Sequence, residues 1–338
     1  MNWNAARIHF LALIILALYK VRTVNLAEIA QALSGSVAVE SKYRRIQRFL
    51  SNFAIPAGDI AHCIGGWLPR GSWILSLDRT TWRFGETVIN LLVLGVVYQG
   101  TAIPVLWLPL PKKGNSDTQE RQVLISRFLH LFGLKRLQYL TADREFIGEQ
   151  WLEWLLEQGI NPYLRIKKNT LIRYKDNKPV PVQSKFAHLP TGTKRCLRNV
   201  QVWGCTVHIE GMRLKSGEYL IVLSDKPVGI IKAYKQRWNI ETMFGNLKSR
   251  GFRFEQTHLK DPTRISKLLA LLALAFCYAL QVRVWRITQG MDIVFKKTLN
   301  RPLKTVFRHG LDYLRTLLLN SMENLLELVP LPRFLSCT

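Results

Sequence analysis

A chain of 338 residues with 48% hydrophobic content can bury a sizeable core in two or three domains, which excludes a disordered protein. Its 48 Lys and Arg against 23 Asp and Glu leave a net charge of +25. That is far beyond what solubility needs and points to a polyanionic partner, nucleic acid first and an anionic membrane surface second.

The first 70 or so residues read as helical. Ala5 to Lys20 is a helix apolar nearly all round, and Leu26 to Leu33 is a short second one. The turn Ser34-Gly35-Ser36 leads to a third helix from Glu40 to Leu50, which carries Lys42, Arg44, Arg45 and Arg48. Short helix, glycine turn and basic helix form a helix-turn-helix pattern, and a helical bundle with a solvated basic face has the same spacing. Either way, this face suits phosphate contact better than base reading. The apolar runs Phe10 to Tyr19 and Leu268 to Leu280 are short of the roughly 18–20 residues that span a bilayer. They are expected to be buried core helices; neither precedes a small-residue cleavage site, so no signal peptide and no membrane association are expected. Cys63, Cys196, Cys205, Cys277 and Cys337 are odd in number, scattered and without a C-x-x-C pair. A disulfide framework and a zinc site are therefore not expected, and a reducing cytoplasm is.

From residue 72 the pattern becomes that of strands. Ser72 to Leu77 ends at Asp78; Thr87 to Tyr98 and Ala102 to Leu110 are joined through Gln99-Gly100 as in a hairpin. Gly114 to Asp117 reads as a turn and Thr118 to Phe132 as an amphipathic helix. Leu137 to Ala142 is a strand ending at Asp143, Ile147 to Gln158 a helix capped by Gly159, and Pro162 to Ile166 a fifth strand. The order β-β-β-α-β-α-β predicts a mixed five-stranded sheet with helices on its faces, the element order of the ribonuclease H fold. Asp78 and Asp143 both stand where an apolar strand stops, the place where catalytic groups collect in such sheets. If their strands are neighbours, two ionised carboxylates at that distance call for a cation between them. Each alone also reads as a turn residue or helix cap. Both are followed by arginine, and Arg79 and Arg144 are candidates for phosphate contact.

Residues 170–224 interrupt this order with four strand-like segments, Leu171 to Tyr174, Arg198 to Trp203, Thr206 to Glu210 and Tyr219 to Ser224, which predict an inserted antiparallel β-subdomain. Lys194, Arg195, Arg198 and Trp203 mix base with aromatic there, a pattern that suits stacking on an unpaired base and equally suits the insertion's own core. Residues 225–251 then predict one helix, from the start signals Asp225 and Pro227 to the stop at Gly251. At about 100° per residue, Tyr234, Arg237, Glu241 and Lys248 share a stripe roughly 60° wide. Gly245 beside it leaves the backbone bare for a close approach. A carboxylate between two cations and next to a phenol suits a phosphate and metal site, although solvated ion pairs on a surface helix have the same spacing. The tail from 293 to 338 reads as helical and basic at Lys296, Lys297, Arg301, Lys304 and Arg308.

The spacing Tyr234-x2-Arg237-x3-Glu241-x6-Lys248 matches the hallmark of the "insertion sequence four" family of bacterial DDE transposases. RWNIE and FGNLKSRG around the stripe, the Thr257-His258 pair, and the blocks SLDRTTWRFG and LTADREFIG strengthen the match. The chain resembles that family from about residue 40 to 285. The resemblance implies a ribonuclease H-like core carrying a β-strand insertion, with Asp78, Asp143 and Glu241 as catalytic, metal-binding carboxylates. It implies that Tyr234, Arg237 and Lys248 grip phosphates near a cleaved transposon end. Trp203 is the nearest counterpart of a tryptophan that stabilises a flipped base in some relatives.

The expected regions are a helical DNA-binding region at 1–70, a ribonuclease H-like core at 71–169 and 225–290, the β-strand insertion at 170–224, and a helical C-terminal region at 291–338. The expected activity is cut-and-paste DNA transposition by in-line displacement, with two Mg²⁺ about 3.5–4 Å apart, or Mn²⁺, selected by hard oxygen ligands. Expected partners are double-stranded DNA, as transposon ends and target, and a second copy of the chain in a homodimer on DNA. No small-molecule cofactor is expected, and the expected location is the bacterial cytoplasm at the nucleoid. The competing readings are a metal-dependent endonuclease of the same fold and a catalytically inactive, transposase-derived DNA-binding protein.

Overall fold

The computed structural model describes residues 3–175, 178–290, 295–296, 301–302 and 305–320. Helix α1 (Ala5–Val21) starts where the Asn4 side chain accepts from the Ala6 amide and stops at Arg22 in the left-handed region. Helix α2 (Leu26–Ala32) is capped in the same way by Asn25. In α3 (Val39–Asn52) the buried residues Ile46, Phe49 and Leu50 recur at helical spacing, so one stripe packs inward and the basic positions stay outside. Helix α4 (Ala57–Trp67) completes the group.

Strands β1 (Trp73–Phe84), β2 (Thr87–Tyr98) and β3 (Thr101–Pro109) form an antiparallel meander. Gln99 and Gly100 both have positive φ, 50° and 75°, as the tight two-residue turn between β2 and β3 requires. Helix α5 (Thr118–Phe132) begins with a reciprocal cap between Asp117 and Glu120. Strand β4 (Leu137–Ala142) returns parallel to β1, and after α6 (Glu149–Glu157) strand β5 (Pro162–Arg165) lies parallel to β4.

The strands β6 (Leu171–Ile172) and β7 (Val180–Pro181) form a separate two-stranded sheet, bridged through Arg173 to Gln201 on the next strand of the insertion. The remaining strands of the insertion, β8 (Lys194–Val202), β9 (Cys205–Arg213) and β10 (Tyr219–Ser224), continue the main sheet. It therefore has eight strands in the order β3-β2-β1-β4-β5-β10-β9-β8, not five. The physical reason is that β10 pairs antiparallel with β5 through Leu223↔Leu164 and Val222↔Arg165, which covers an edge that would otherwise be open. β1 likewise runs past its expected end at Leu77: beyond Asp78 it leaves β4 but stays paired with β2 as far as Phe84↔Thr87.

The segment expected to form one helix from Asp225 to Gly251 is shorter and tightened in the middle. Gly229, at φ 68°, precedes α7 (Ile230–Tyr234), and the Glu210 carboxylate accepts from the Ile231 amide at 2.6 Å, which fixes where the helix can begin. A 3₁₀ turn over Lys235–Arg237 leads into α8 (Trp238–Leu247), so Lys248 lies just beyond the helix.

Helix α9 (Pro262–Thr288), 27 residues, is longer than the apolar run inside it. By length and composition it is long enough to cross a membrane, which corrects the expectation from residues 268–280 alone. Yet 83% of its most apolar window is buried within the fold. Tyr19 donates to the Ala275 carbonyl at 2.8 Å, Trp107 to Ser266 at 2.7 Å, and Gln281 to the Trp67 carbonyl at 2.6 Å. The C-terminal region departs from a purely helical reading: β11 (Phe295–Lys296) pairs with β12 (Arg301–Pro302) before α10 (Val306–Leu319). Lys297, Lys304, Cys337 and all of 321–338 lie outside the described residues.

Candidate active site at the carboxyl ends of β1 and β4

The parallel register of β1 and β4 ends at Leu77↔Ala142, so Asp78 and Asp143 are the next residues on adjacent strands, whose axes lie about 4.8 Å apart. Each carboxylate also accepts from the following amide, Arg79 N at 2.8 Å and Arg144 N at 2.7 Å. Helices α7 and α8 face them. A small apolar cluster of Tyr163, Val222, Ile230, Ile231 and Tyr234 seats α7 on β5 and β10. Ile240, Met243 and Leu247 bury the inner side of α8, with Met243 against the bare backbone of Gly95 on β2.

This seating aims the predicted stripe at the two aspartates. The Tyr234 hydroxyl donates to Asp143 Oδ1 at 3.2 Å. Arg237 Nη1 donates to Asp78 Oδ2 at 3.3 Å, while its Nη2 makes a short bond to Glu241 Oε1, so one guanidinium bridges two acids. Lys248 Nζ donates to the Thr81 carbonyl at 3.3 Å and lies 4.0 Å from Glu255 and 5.5 Å from the Trp82 ring centre. The space expected beside Gly245 is taken by Arg250, whose guanidinium would lie 3.2 Å from an added Cβ.

Burial pushes the Asp78 carboxyl up to about 7; the Arg79 amide and Arg237 oppose this, while Glu145 and Asp143 add to it. Burial also raises Tyr234, so its phenol stays protonated and able to donate. Burial alone would lower Arg237, but Tyr234, Glu241 and Asp143 outweigh it and keep the guanidinium charged. Lys248 is lowered by burial, against the pull of Glu255.

The other candidates are placed differently. Arg79 makes a two-pronged ion pair with Glu145, at 3.0 and 3.2 Å, and also donates to Asn90 and Asn115. It is spent on anchoring the turn after β4. Arg144 is exposed. Trp203 is half-buried against the core at the tip of the β8–β9 hairpin, whereas Trp238, directly after Arg237, is 65% exposed. Lys42 donates to the Leu33 and Gly35 carbonyls, closing the end of α2. Arg45 lies over the Phe10 ring at 4.1 Å, Arg44 pairs with Glu40 at 3.3 Å, and Arg48 is exposed.

Two members of the site escaped the sequence reading. Arg165 Nη1 lies 3.8 Å from Asp143 Oδ1, and Glu145 is the partner of Arg79. Arg165 ends β5, so the carboxyl-end rule that picked out the two aspartates also applies to it.

The donor set suits a hard divalent cation, because it is all oxygen and two of its carboxylates, Asp78 and Glu241, already share a cation, the Arg237 guanidinium. Among the described residues no three His, Cys, Asp or Glu side chains converge closely enough to chelate a metal. Arg237 stands where Asp78 and Glu241 would otherwise meet.

Residues 69–278 match the family model described as a transposase DDE domain. No curated protein sequence matches the chain. Among solved structures, a chain of the cryo-EM structure of a piggyBac transposase synaptic complex with hairpin DNA is similar, with a TM-score of 0.51 and 14% identity over 99% of this chain and 75% of that one. At that identity the likeness is one of fold, a mixed α/β architecture of ribonuclease H-like type.

Proposed function

The chain belongs to the transposase DDE domain family, and from that premise we propose that it is a DNA transposase of the insertion sequence four type, cutting at transposon ends and joining them to target DNA. The observation that supports this most is that one helical stripe engages both strand-end aspartates: Arg237 bridges Asp78 and Glu241, and the Tyr234 hydroxyl donates to Asp143. In this reading the three carboxylates bind Mg²⁺ or Mn²⁺. Divalent ions held there would supply Lewis-acid activation of the attacking hydroxyl and neutralise charge on the departing oxygen.

The protein's own groups supply the rest. Tyr234 holds Asp143 in place through its hydroxyl. Arg237 bridges Asp78 and Glu241; displaced from them, it would be free to clamp a DNA phosphate. Lys248, beside β1, contacts the next stretch of backbone in this reading. Trp238 is a better-exposed platform for an unpaired base than Trp203. Residues 1–70 serve in end binding, 170–224 as the insertion and the C-terminal region from 291 in an accessory role. Transposition also needs two ends, hence a homodimer assembled on DNA in the cytoplasm.

The test is a joining reaction. Duplexes made from the DNA at either side of the gene, searched for inverted repeats and ending in a 3′-hydroxyl, are incubated with the protein, Mg²⁺ and supercoiled plasmid. Joined product is expected. Cutting without joining would favour the endonuclease reading, and neither cutting nor joining would favour an inactive DNA-binding protein.

A further inference from the structure

Two adjoining cavities of about 460 and 620 Å³ open between α3 and the turn that enters α9, sharing Gln47 and Arg264 in their walls. Their charged lining is one-sided. Arg44, Arg48, Lys260 and Arg264 stand against a single acidic residue, Asp261. That carboxylate is committed to the fold: it caps α9 by accepting from the Arg264 amide at 2.7 Å. Neighbouring cations are committed too, Lys42 to carbonyls, Arg45 to a ring, and Lys267 to the Ser51 carbonyl at 3.0 Å, which ties α9 to the end of α3. Arg48, Lys260 and Arg264 are exposed and have no ion-pair partner among the described residues. A groove that keeps cations unpaired while tying up its neighbours is suited to an outside polyanion.

The groove is also connected to the candidate active site. On β1, Asp78, Thr80, Trp82 and Phe84 alternate onto one face. Lys248 lies over Trp82, His258 stacks on Phe84 with ring centres 4.9 Å apart, and Lys260 lies 5.8 Å from the same Phe84 ring. His258 and Lys260 line the first cavity. Six residues of strand separate Asp78 from Phe84, roughly 20 Å, which is the rise of about six base pairs.

We infer that this groove seats the sugar–phosphate backbone of duplex DNA about six base pairs from the scissile phosphate, with Arg48, Lys260 and Arg264 as its contacts. The inference rests on the reading of the chain as a DNA-cutting enzyme and adds the course the duplex takes. Contacts of these cations to phosphates are sequence-independent and strongly salt-dependent.

The test measures duplex binding by fluorescence anisotropy across a salt series for the wild type, for Lys260→Ala/Arg264→Ala, and for a control, Arg127→Ala/Lys135→Ala, whose exposed cations lie on α5 and on the turn between α5 and β4 and line neither cavity. The groove variant is expected to lower the steepness of log K against log[salt] by about 2, close to 1 per lost phosphate contact, and to weaken binding at least tenfold near physiological salt. The control should match the wild type. All four residues are on the surface, and unchanged thermal melts check that the fold survives. An unchanged salt slope in the groove variant, or an equal fall in the control, overturns the inference while leaving the proposed activity standing. A wild type that binds no duplex overturns both.

Discussion

Arg237 is the residue on which the site turns. Its guanidinium neutralises Asp78, whose side chain is 17% exposed, and Glu241, which is 38% exposed. Removing one partner of a buried ion pair costs about 3–5 kcal/mol, and the exposure of Glu241 reduces this to roughly 2. Arg237→Ala is therefore expected to destabilise the metal-free protein by about 2 kcal/mol and to be stabilised by Mn²⁺ more than the wild type is, because the ion takes over the vacated role. Melting curves with and without Mn²⁺ check this; equal stabilisation of both proteins would contradict it. Glu241→Gln keeps the shape and loses the charge, so DNA cleavage should fall at least 10³-fold, about 4 kcal/mol of transition-state stabilisation, with duplex binding retained. An unaltered nicking rate would remove Glu241 from the chemistry. Asp78 adds a pH dependence. Its carboxyl ionises near 3.8 when unfolded and near 7 in the metal-free fold, so between these values the folded state holds the extra proton. Its contribution to stability is complete below about 4 and is lost as the pH rises through about 7. A metal must displace that proton, so affinity should rise roughly tenfold per unit up to about pH 7 and then level off. Mn²⁺ titrations from pH 5.5 to 8 would show this, and a flat profile would contradict it.

At the scale of elements, the positions that matter are those where one segment stops or comes close to another. Helix α10 crosses α9 at Gly310, where any Cβ would collide with the Ala279 carbonyl, while Phe307 stacks on Phe276 at 4.3 Å. Gly310→Ala should lower stability by about 1–3 kcal/mol through overpacking, read as a drop in melting temperature. Glu210 caps α7 from the neighbouring strand, and Glu210→Ala should cost about 1 kcal/mol and loosen Tyr234 from Asp143. Neither contact is written in local sequence. By contrast, α5, β2, β4 and β10 were legible to the residue, because Asp117-x-x-Glu120 is a cap signal and the strands are apolar runs between turn residues. The end of β1 was not legible: Asp78 interrupts the apolar run, while pairing with β2 carries the strand six residues further. The helical stripe was readable from spacing alone, but the 3₁₀ turn within it and the end before Lys248 depend on how α7 and α8 seat on the sheet.

At the scale of the whole molecule, the charge of +25 is distributed unevenly between tied and free cations. Composition announced a polyanion. It could not separate Lys42, Arg45 and Arg79, which brace the fold, from Arg48, Lys260 and Arg264, which face open space. The eight-stranded sheet was hidden for a related reason, since which edge an inserted hairpin joins is decided by the edge left open and not by the hairpin. The juxtaposition of Asp78 and Asp143, in contrast, follows once β1 and β4 are neighbours. The central claim is that Asp78, Asp143 and Glu241 together hold a divalent ion from which Arg237 has withdrawn. The most direct measurement is anomalous diffraction from crystals of the protein with duplex DNA and Mn²⁺. The account predicts manganese peaks coordinated by all three carboxylates, with the Arg237 guanidinium moved onto a DNA phosphate. Arg237 still bridging Asp78 and Glu241, with manganese bound elsewhere or not at all, would contradict it.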